Sequence, residues 1–455
     1  MSEVLYFILT IGILVFIHEF GHFAAAKLSK MRVEAFAIGF GYRLFGWNKL
    51  SGFTFGNLPD DFDGAGNTDY RLCALPLGGY VRIAGMVDES ADTSFADKEP
   101  QPYEFRSKST SKKVFVITAG VLMNLLLALI IFWLSAYSHG KQYLKTTTIG
   151  YVAPNSAARQ AGFATGDKIL RINGVAVANW EDLRNEFFVN TLGKDLDVAL
   201  ARAGTETTIH VERKAIPQDE AALNFFYYDG AKPIVESTLA NSVAAKVGIL
   251  KDDVLLSINE TPVNTVEQTI GLISSSKGKE LKLRILRNEK DTIAIAATPS
   301  AEGKLGMALS HKFFGEVETK KYTVFESLSE GSKALANMTG LTLTMLKRVV
   351  SGEVEFKSVF GGPIKIAQYA AKSADSGLSS FILFLGYLSL SLAILNILPI
   401  PALDGGHFVM ILVEHLIKRE IPIKMKIAIQ NTGMVLLLLL MAFIIFNDFK
   451  SVIKF

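Results

Sequence analysis

Four long stretches without a charged residue set the hydrophobic pattern of this chain: residues 4–17, 114–134, 376–403 and 427–447. The last three reach the ~20 residues an α-helix needs to cross a ~30 Å hydrocarbon core. The first is shorter, but residues 23–26 are apolar again after a polar interruption. Four transmembrane helices are therefore expected. No basic segment precedes the first run and no small-residue cleavage site follows it, so it is expected to be a retained span rather than a leader. Farther on, Phe325, Leu328, Leu335, Met338, Leu341, Leu346 and Val349 recur at helical spacing among Ser, Thr and Lys. That stripe predicts an amphipathic helix, either lying on the membrane or packed on the bundle.

The stretch between the second and third runs contains an internal repeat. Residues 155–158 (Asn-Ser-Ala-Ala) match residues 241–244 (Asn-Ser-Val-Ala), and the same offset carries Gly162 onto Gly248, Asp167 onto Asp253, Asn173 onto Asn259 and Glu181 onto Glu267. A register held over so many positions indicates two tandem copies of one small domain. Each copy reads as a short helix ending at Gly, a turn with Asp, a β-run and an Asn-led turn, then a longer helix and two further β-runs. The pattern at residues 161–174 resembles a PDZ domain. The second copy departs from it, with Asp252 and Glu260 where the first has Gly166 and Gly174. The copies are read either as peptide binders or as a rigid spacer.

The polar interruption in the first span is His18-Glu19-Phe20-Gly21-His22. Histidines four apart on a helix share one face, about 6 Å apart along the axis. That spacing suits two neutral imidazoles on one tetrahedral Zn²⁺, with Glu19 beside the first as a base for hydrolysis. Ionisable groups inside a membrane segment are costly, and so mark a functional site by default. Composition agrees with a membrane protein: 49% of residues are hydrophobic and the mean hydropathy is +0.30. The net charge of +3 points to no particular partner and no nucleic acid is expected. The positions of the charges say more. Lys27, Lys30, Arg32 and Arg43, with Arg106, Lys108, Lys112 and Lys113, flank the loop between spans one and two. Lys418, Arg419, Lys424 and Lys426 lie between spans three and four. Both loops are then cytoplasmic, and both termini and the tandem copies lie on the far side. Cys73, the single cysteine, excludes an internal disulfide and a cysteine zinc site.

A catalytic zinc usually takes three protein ligands, and the first helix supplies two. Residues 396–407 read Asn-Ile-Leu-Pro-Ile-Pro-Ala-Leu-Asp-Gly-Gly-His. Pro399 and Pro401 break the third span there, and broken backbone at membrane depth must be buried in protein or line a wet cavity. Asp404 is the acidic residue best placed to complete His18 and His22; the plainer alternative is that it caps the following helix. His407 is expected to support the site by packing or from behind the ligands. His139, His210, His311 and His415 are expected to take no part.

Together, the His-Glu-Phe-Gly-His helix and residues 396–407 resemble the signature of the site-2 protease family of intramembrane zinc metalloproteases. Gly39-Phe40-Gly41, residues 75–82, Gly120 with Asn124, and Gly362-Pro363-Ile364 agree with it. Val121, Tyr42 and Lys365 depart from common residues of the family and leave the metal positions intact. Spans and repeats together resemble bacterial members with two PDZ domains. The resemblance implies a polytopic α-helical membrane protein with membrane-re-entrant β-structure and two tandem mixed α/β PDZ domains. Its expected organisation is a first span with the zinc motif at 1–30, a cytoplasmic loop with re-entrant β-structure at 31–113 and a second span at 114–137. PDZ domains follow at 146–225 and 226–312, with an amphipathic helix and connector at 313–375. A third span with a broken end at 376–403, a third-ligand loop and connector at 404–426 and a fourth span at 427–447 complete it.

The resemblance further implies Zn²⁺ on His18, His22 and Asp404, with Glu19 as general base. Asn396, Pro399 and Pro401 would contact substrate near the metal, and Gly39, Gly41, Gly78 and Gly79 would lie where a substrate strand is held. Expected substrates are pre-trimmed single-span membrane proteins, such as an anti-sigma factor, or remnant signal peptides. The expected setting is the bilayer of the bacterial inner membrane, with peptide tails as candidate partners of the periplasmic PDZ pair. Two competing readings remain from the residues themselves: a catalytically idle membrane adaptor, and a zinc protease of soluble peptides.

Overall fold

The computed structural model describes residues 2–59, 62, 64–86, 99–154, 156–191, 194–216, 225–352 and 361–453. Asn155 of the repeat and residues 353–360 of the expected connector lie outside them. The chain forms two compact units, Met1–Gly140 with Lys321–Phe455, and Lys141–Lys320.

The first unit contains four helices long and apolar enough to cross a membrane. These candidate spans, called here the first to the fourth span, are the helices Ser2–Leu28, Thr110–His139, Leu378–Ile397 and Ile423–Ile453. The second is the structural centre, because the first and third both pack along it. Leu14, Ala128, Ile131, Phe132, Leu385 and Leu390 form the common core. In the helix Val324–Val350 part of the amphipathic stripe packs on the bundle, while Leu341 is 51% exposed. Leu335, Met338 and Leu346 pack into that same core, and Trp133 Nε1 of the second span donates to the Val324 carbonyl at 3.2 Å. A capping box of Thr323 and Glu326 starts this helix. Phe325, at its first turn, is left 84% exposed.

Between the first two spans lies an antiparallel sheet of β1 (Val33–Asn48), β2 (Gly52–Phe55) and β3 (Asp69–Ile83), in the order β2-β1-β3. Its long strands are bent. The first arm of β1 pairs Val33 with Ile83 and Phe36 with Val81, and the second arm pairs Phe45 with Leu72 and Trp47 with Tyr70, with register breaks between. Residues 404–426 differ from the expected loop and connector: Asp404–Ile417 is a helix. No side chain caps its N-terminus, which begins after Leu403. The apolar residues after Gly406 have helical spacing, and only the prolines before Asp404 interrupt it.

The second unit repeats one framework. Strand Lys168–Ile172 in the first copy corresponds to Val254–Ile258 in the second. Asp167 is fully buried and receives the Arg202 guanidinium, which also donates to the Gly162 carbonyl; Asp253 receives Arg287, which donates to the Gly248 carbonyl. Asn173 accepts from the Asp197 backbone at 2.7 Å, and Asn259 accepts from Lys282 at 2.9 Å. The two departures of the second copy do not change the backbone. Gly166 and Gly174 have φ of 91° and 83°, and Asp252 and Glu260 are held at 70° and 67°. An L-residue with a side chain is disfavoured there, so the surrounding turn imposes the conformation. Replacing Glu260 by Gly is expected to stabilise the second copy by about 1 kcal/mol, the relief of αL strain less the added chain entropy. Hydrogen exchange of residues 254–297 in the full chain reads it; unchanged or faster exchange would contradict the strain argument.

Candidate metal centre

The first span carries His18 and His22 one turn apart, both buried, with Nε2 atoms 3.2 Å from each other. Asp404, at the start of its helix, brings Oδ2 to 3.2 Å from His18 Nε2 and 3.4 Å from His22 Nε2. All three ligand atoms lie within 4.8 Å of one another. Asp404 Oδ2 is buried and meets no hydrogen-bond donor of good geometry. Three electron-pair donors facing one point, one an orphaned carboxylate oxygen, are mutually unfavourable unless a cation lies among them. Two imidazoles and a carboxylate form a donor set that zinc accepts.

The second span orients both rings. His22 Nδ1–H donates to the Val116 carbonyl at 2.8 Å, which leaves the Nε2 lone pair directed at Asp404. His18 Nδ1 lies 3.2 Å from the Asn124 side-chain amide, whose Oδ1 is buried without a donor. Turning that amide by half a rotation lets Oδ1 accept from His18 Nδ1–H and removes the orphan. Ser389 of the third span donates to the Asn124 backbone carbonyl at 2.8 Å, tying the spans together at this level. The imidazoles lie on bare backbone: a Cβ added to Gly120 would fall 2.4 Å from His22 Nε2 and 2.7 Å from His18 Cε1.

Glu19 lines one cavity with His18, His22, Tyr80, Asp404 and His407. β3 passes directly over it, since a Cβ on Gly79 would come within 3.1 Å of Glu19 Cγ. Asn396 has its amide nitrogen 3.4 Å from His18 Nε2. Pro399 and Pro401 form the turn that returns the chain to Asp404, and the Pro401 carbonyl lies against Gly433 of the fourth span. Gly39, Gly41 and Gly78 lie farther along the sheet, against Leu75, Cys73 and Phe40 rather than the imidazoles. His407 stays off the ligand cluster, with its Nε2 2.7 Å from the Gln430 amide nitrogen. Gly120 and Asn124 entered the sequence analysis only through the family resemblance, without a role at the metal, and the Val116 carbonyl is the part that sequence reading did not name. The signal for Gly120 and Asn124 was a lone amide in an apolar span, one helical turn from a glycine.

Residues 6–440 match peptidase family M50. The chain belongs to that family. It is 28% identical over 464 residues to the regulator of sigma-E protease RseP of Salmonella typhimurium, covering 98% of this chain and 97% of that one. It is 30% identical to the regulator of sigma E protease of Haemophilus influenzae, with 97% of each covered. A Vibrio cholerae protein whose name calls it a zinc metalloprotease is 30% identical, with 99% of each covered. This M50 peptidase is a zinc metalloprotease of the site-2 type and a membrane protein.

Gly120→Leu is expected to push the two imidazoles off the second span and to lower bound zinc well below one ion per chain. Asn124→Ala, which keeps the backbone carbonyl that Ser389 bonds, is expected to weaken zinc affinity about 10- to 100-fold. Zinc titration of the purified protein checks both; full affinity in either variant would contradict the orienting role of the second span.

Proposed function

We propose that His18, His22 and Asp404 hold the zinc, and that Glu19 is the general base of an intramembrane protease acting on single-span proteins. The convergence of these three ligand atoms beside Glu19, in a cavity between apolar helices, carries this reading. Held by these three residues, zinc would supply Lewis-acid polarisation of the scissile carbonyl and would lower the pKa of a water toward neutrality. Glu19 takes the proton of the attacking water and delivers one to the leaving amine. His22 is held in the required tautomer by the Val116 carbonyl, and His18 by Asn124. Asn396, 3.4 Å from His18, is positioned to hydrogen-bond the substrate backbone. Pro399 and Pro401 shape the adjoining wall.

A transmembrane helix offers no free carbonyl, because its backbone bonds are satisfied internally. The substrate must therefore be unwound and held extended, and strand addition along β1 and β3 does this economically. Gly39, Gly41, Gly78 and Gly79 permit close backbone approach there, and the passage of β3 over Glu19 supports the sheet as a re-entrant guide. The framework shared by the two copies supports reading them as tandem PDZ domains, which would exclude untrimmed ectodomains and receive peptide tails. The relatives whose printed name is regulator of sigma-E protease support an anti-sigma factor as the substrate type, with remnant signal peptides as a second. The enzyme would then be a multi-pass inner-membrane protein with periplasmic termini and PDZ domains.

Purified Glu19→Gln is expected to keep its zinc and lose roughly 100- to 10,000-fold in cleavage of a single-span reporter. Zinc in both proteins with equal cleavage would remove Glu19 from the chemistry. Zinc in both with no cleavage by either would favour an adaptor. Deleting residues 146–300 is expected to admit untrimmed substrates, and loss of all activity would end the size-filter idea.

A further inference from the structure

The β1–β2 hairpin has two unlike faces. On one, the Arg43 guanidinium is 2% exposed and fully engaged: it reaches Asp69 at 3.1 Å, Thr54 Oγ1 at 2.9 Å and the Gly56 carbonyl at 2.5 Å. It lies across Gly46, where a Cβ would come 2.6 Å from Nη2. The other face is apolar. Phe45 pairs with Phe55 and Trp47 with Phe53, and beyond them Phe45 meets Leu72 and Trp47 meets Tyr70. Directly paired residues, and those two apart, share a face. Five aromatic rings and a leucine therefore lie together with no charge among them. Trp47, Phe53 and Phe55 are 47%, 58% and 78% exposed.

This face continues an exposed apolar surface of the first span. Phe16 and Phe20 on the exposed side of the first span stack at 6.0 Å, Phe20 adjoins Phe23, Phe23 meets Tyr70 at 5.8 Å, and Tyr70 meets Trp47 at 6.0 Å. Phe23 is five residues from the end of that span, about 7 Å along its axis. Lys27 lies over the Phe23 ring, and Lys49 is exposed at the hairpin turn. Rings at a span end with lysines able to reach outward are how proteins seat themselves at a membrane–water boundary.

We propose that the Phe45–Trp47–Phe53–Phe55–Tyr70 face is a lipid-interface anchor, resting on the headgroup–acyl boundary and fixing the height of the sheet against the first span. The Arg43 fork makes this workable, because it satisfies the hairpin's charged groups on the face turned away from lipid. The proposal rests on the membrane reading of the first span alone, and holds whether or not His18, His22 and Asp404 carry zinc.

The test is fluorescence of the full-length protein in phosphatidylcholine vesicles whose acyl chains carry bromine either near the headgroup or near the methyl end. Trp133→Phe with Trp180→Phe leaves Trp47 as the single tryptophan. Its emission is expected to fall strongly with bromine near the headgroup and less with bromine at the methyl end. No loss with either lipid overturns lipid contact, and a greater loss with methyl-end bromine overturns the boundary position. If the double variant fails to reconstitute, Trp47→Phe gives the same quantity as the difference in quenching from the parent protein.

Discussion

The cost of putting imidazole and carboxylate groups into an apolar medium governs the membrane unit. For His18, His22 and Asp404 that cost falls if, as proposed, they share a metal ion, and if their outward-facing nitrogens find acceptors. That requirement brings the second span against the first, with Gly120 removing the side chain that would separate them. It brings Asp404 back toward the first span through a turn containing two prolines, with Asn396 alongside. The close seating of three helices at one level is the geometric consequence.

A second charge problem is solved in the sheet. Arg43 would be as costly as the histidines if it faced lipid or an empty core. Asp69, Thr54 and the Gly56 carbonyl enclose it instead, and the bend of β1 between its arms turns it to the Gly46 side. The same bend separates the polar interior of the hairpin from its aromatic exterior and lets β3 pass over Glu19. The strand that covers the proposed base and the hairpin proposed to meet the bilayer thus belong to one folded piece.

The second unit follows ordinary rules. Each copy is organised by a buried aspartate that binds one arginine and by an asparagine that closes a turn. Because these contacts fix the turns from both sides, Asp252 and Glu260 can occupy positive φ where the first copy has glycine. The repeat tolerates sequence change at the turn tips better than at the buried aspartates.

The sequence by itself determined the four apolar helices, the tandem repeat, the His-Glu-x-x-His face and the break before Asp404, because each is a local pattern of period, charge or chain-breaking residues. It also carried the family resemblance, since both signature motifs are contiguous. Only the tertiary structure decided that Asp404, nearly 400 residues from His18, comes within 3.2 Å of it, that Asn124 and Val116 orient the rings, and that the 324–350 helix packs on the bundle. The faces of β1, reversed at a bulge, were equally hidden. Contacts between distant segments depend on which surfaces can approach, as at Gly120 and Gly46, and no periodicity in one segment encodes the partner it will meet.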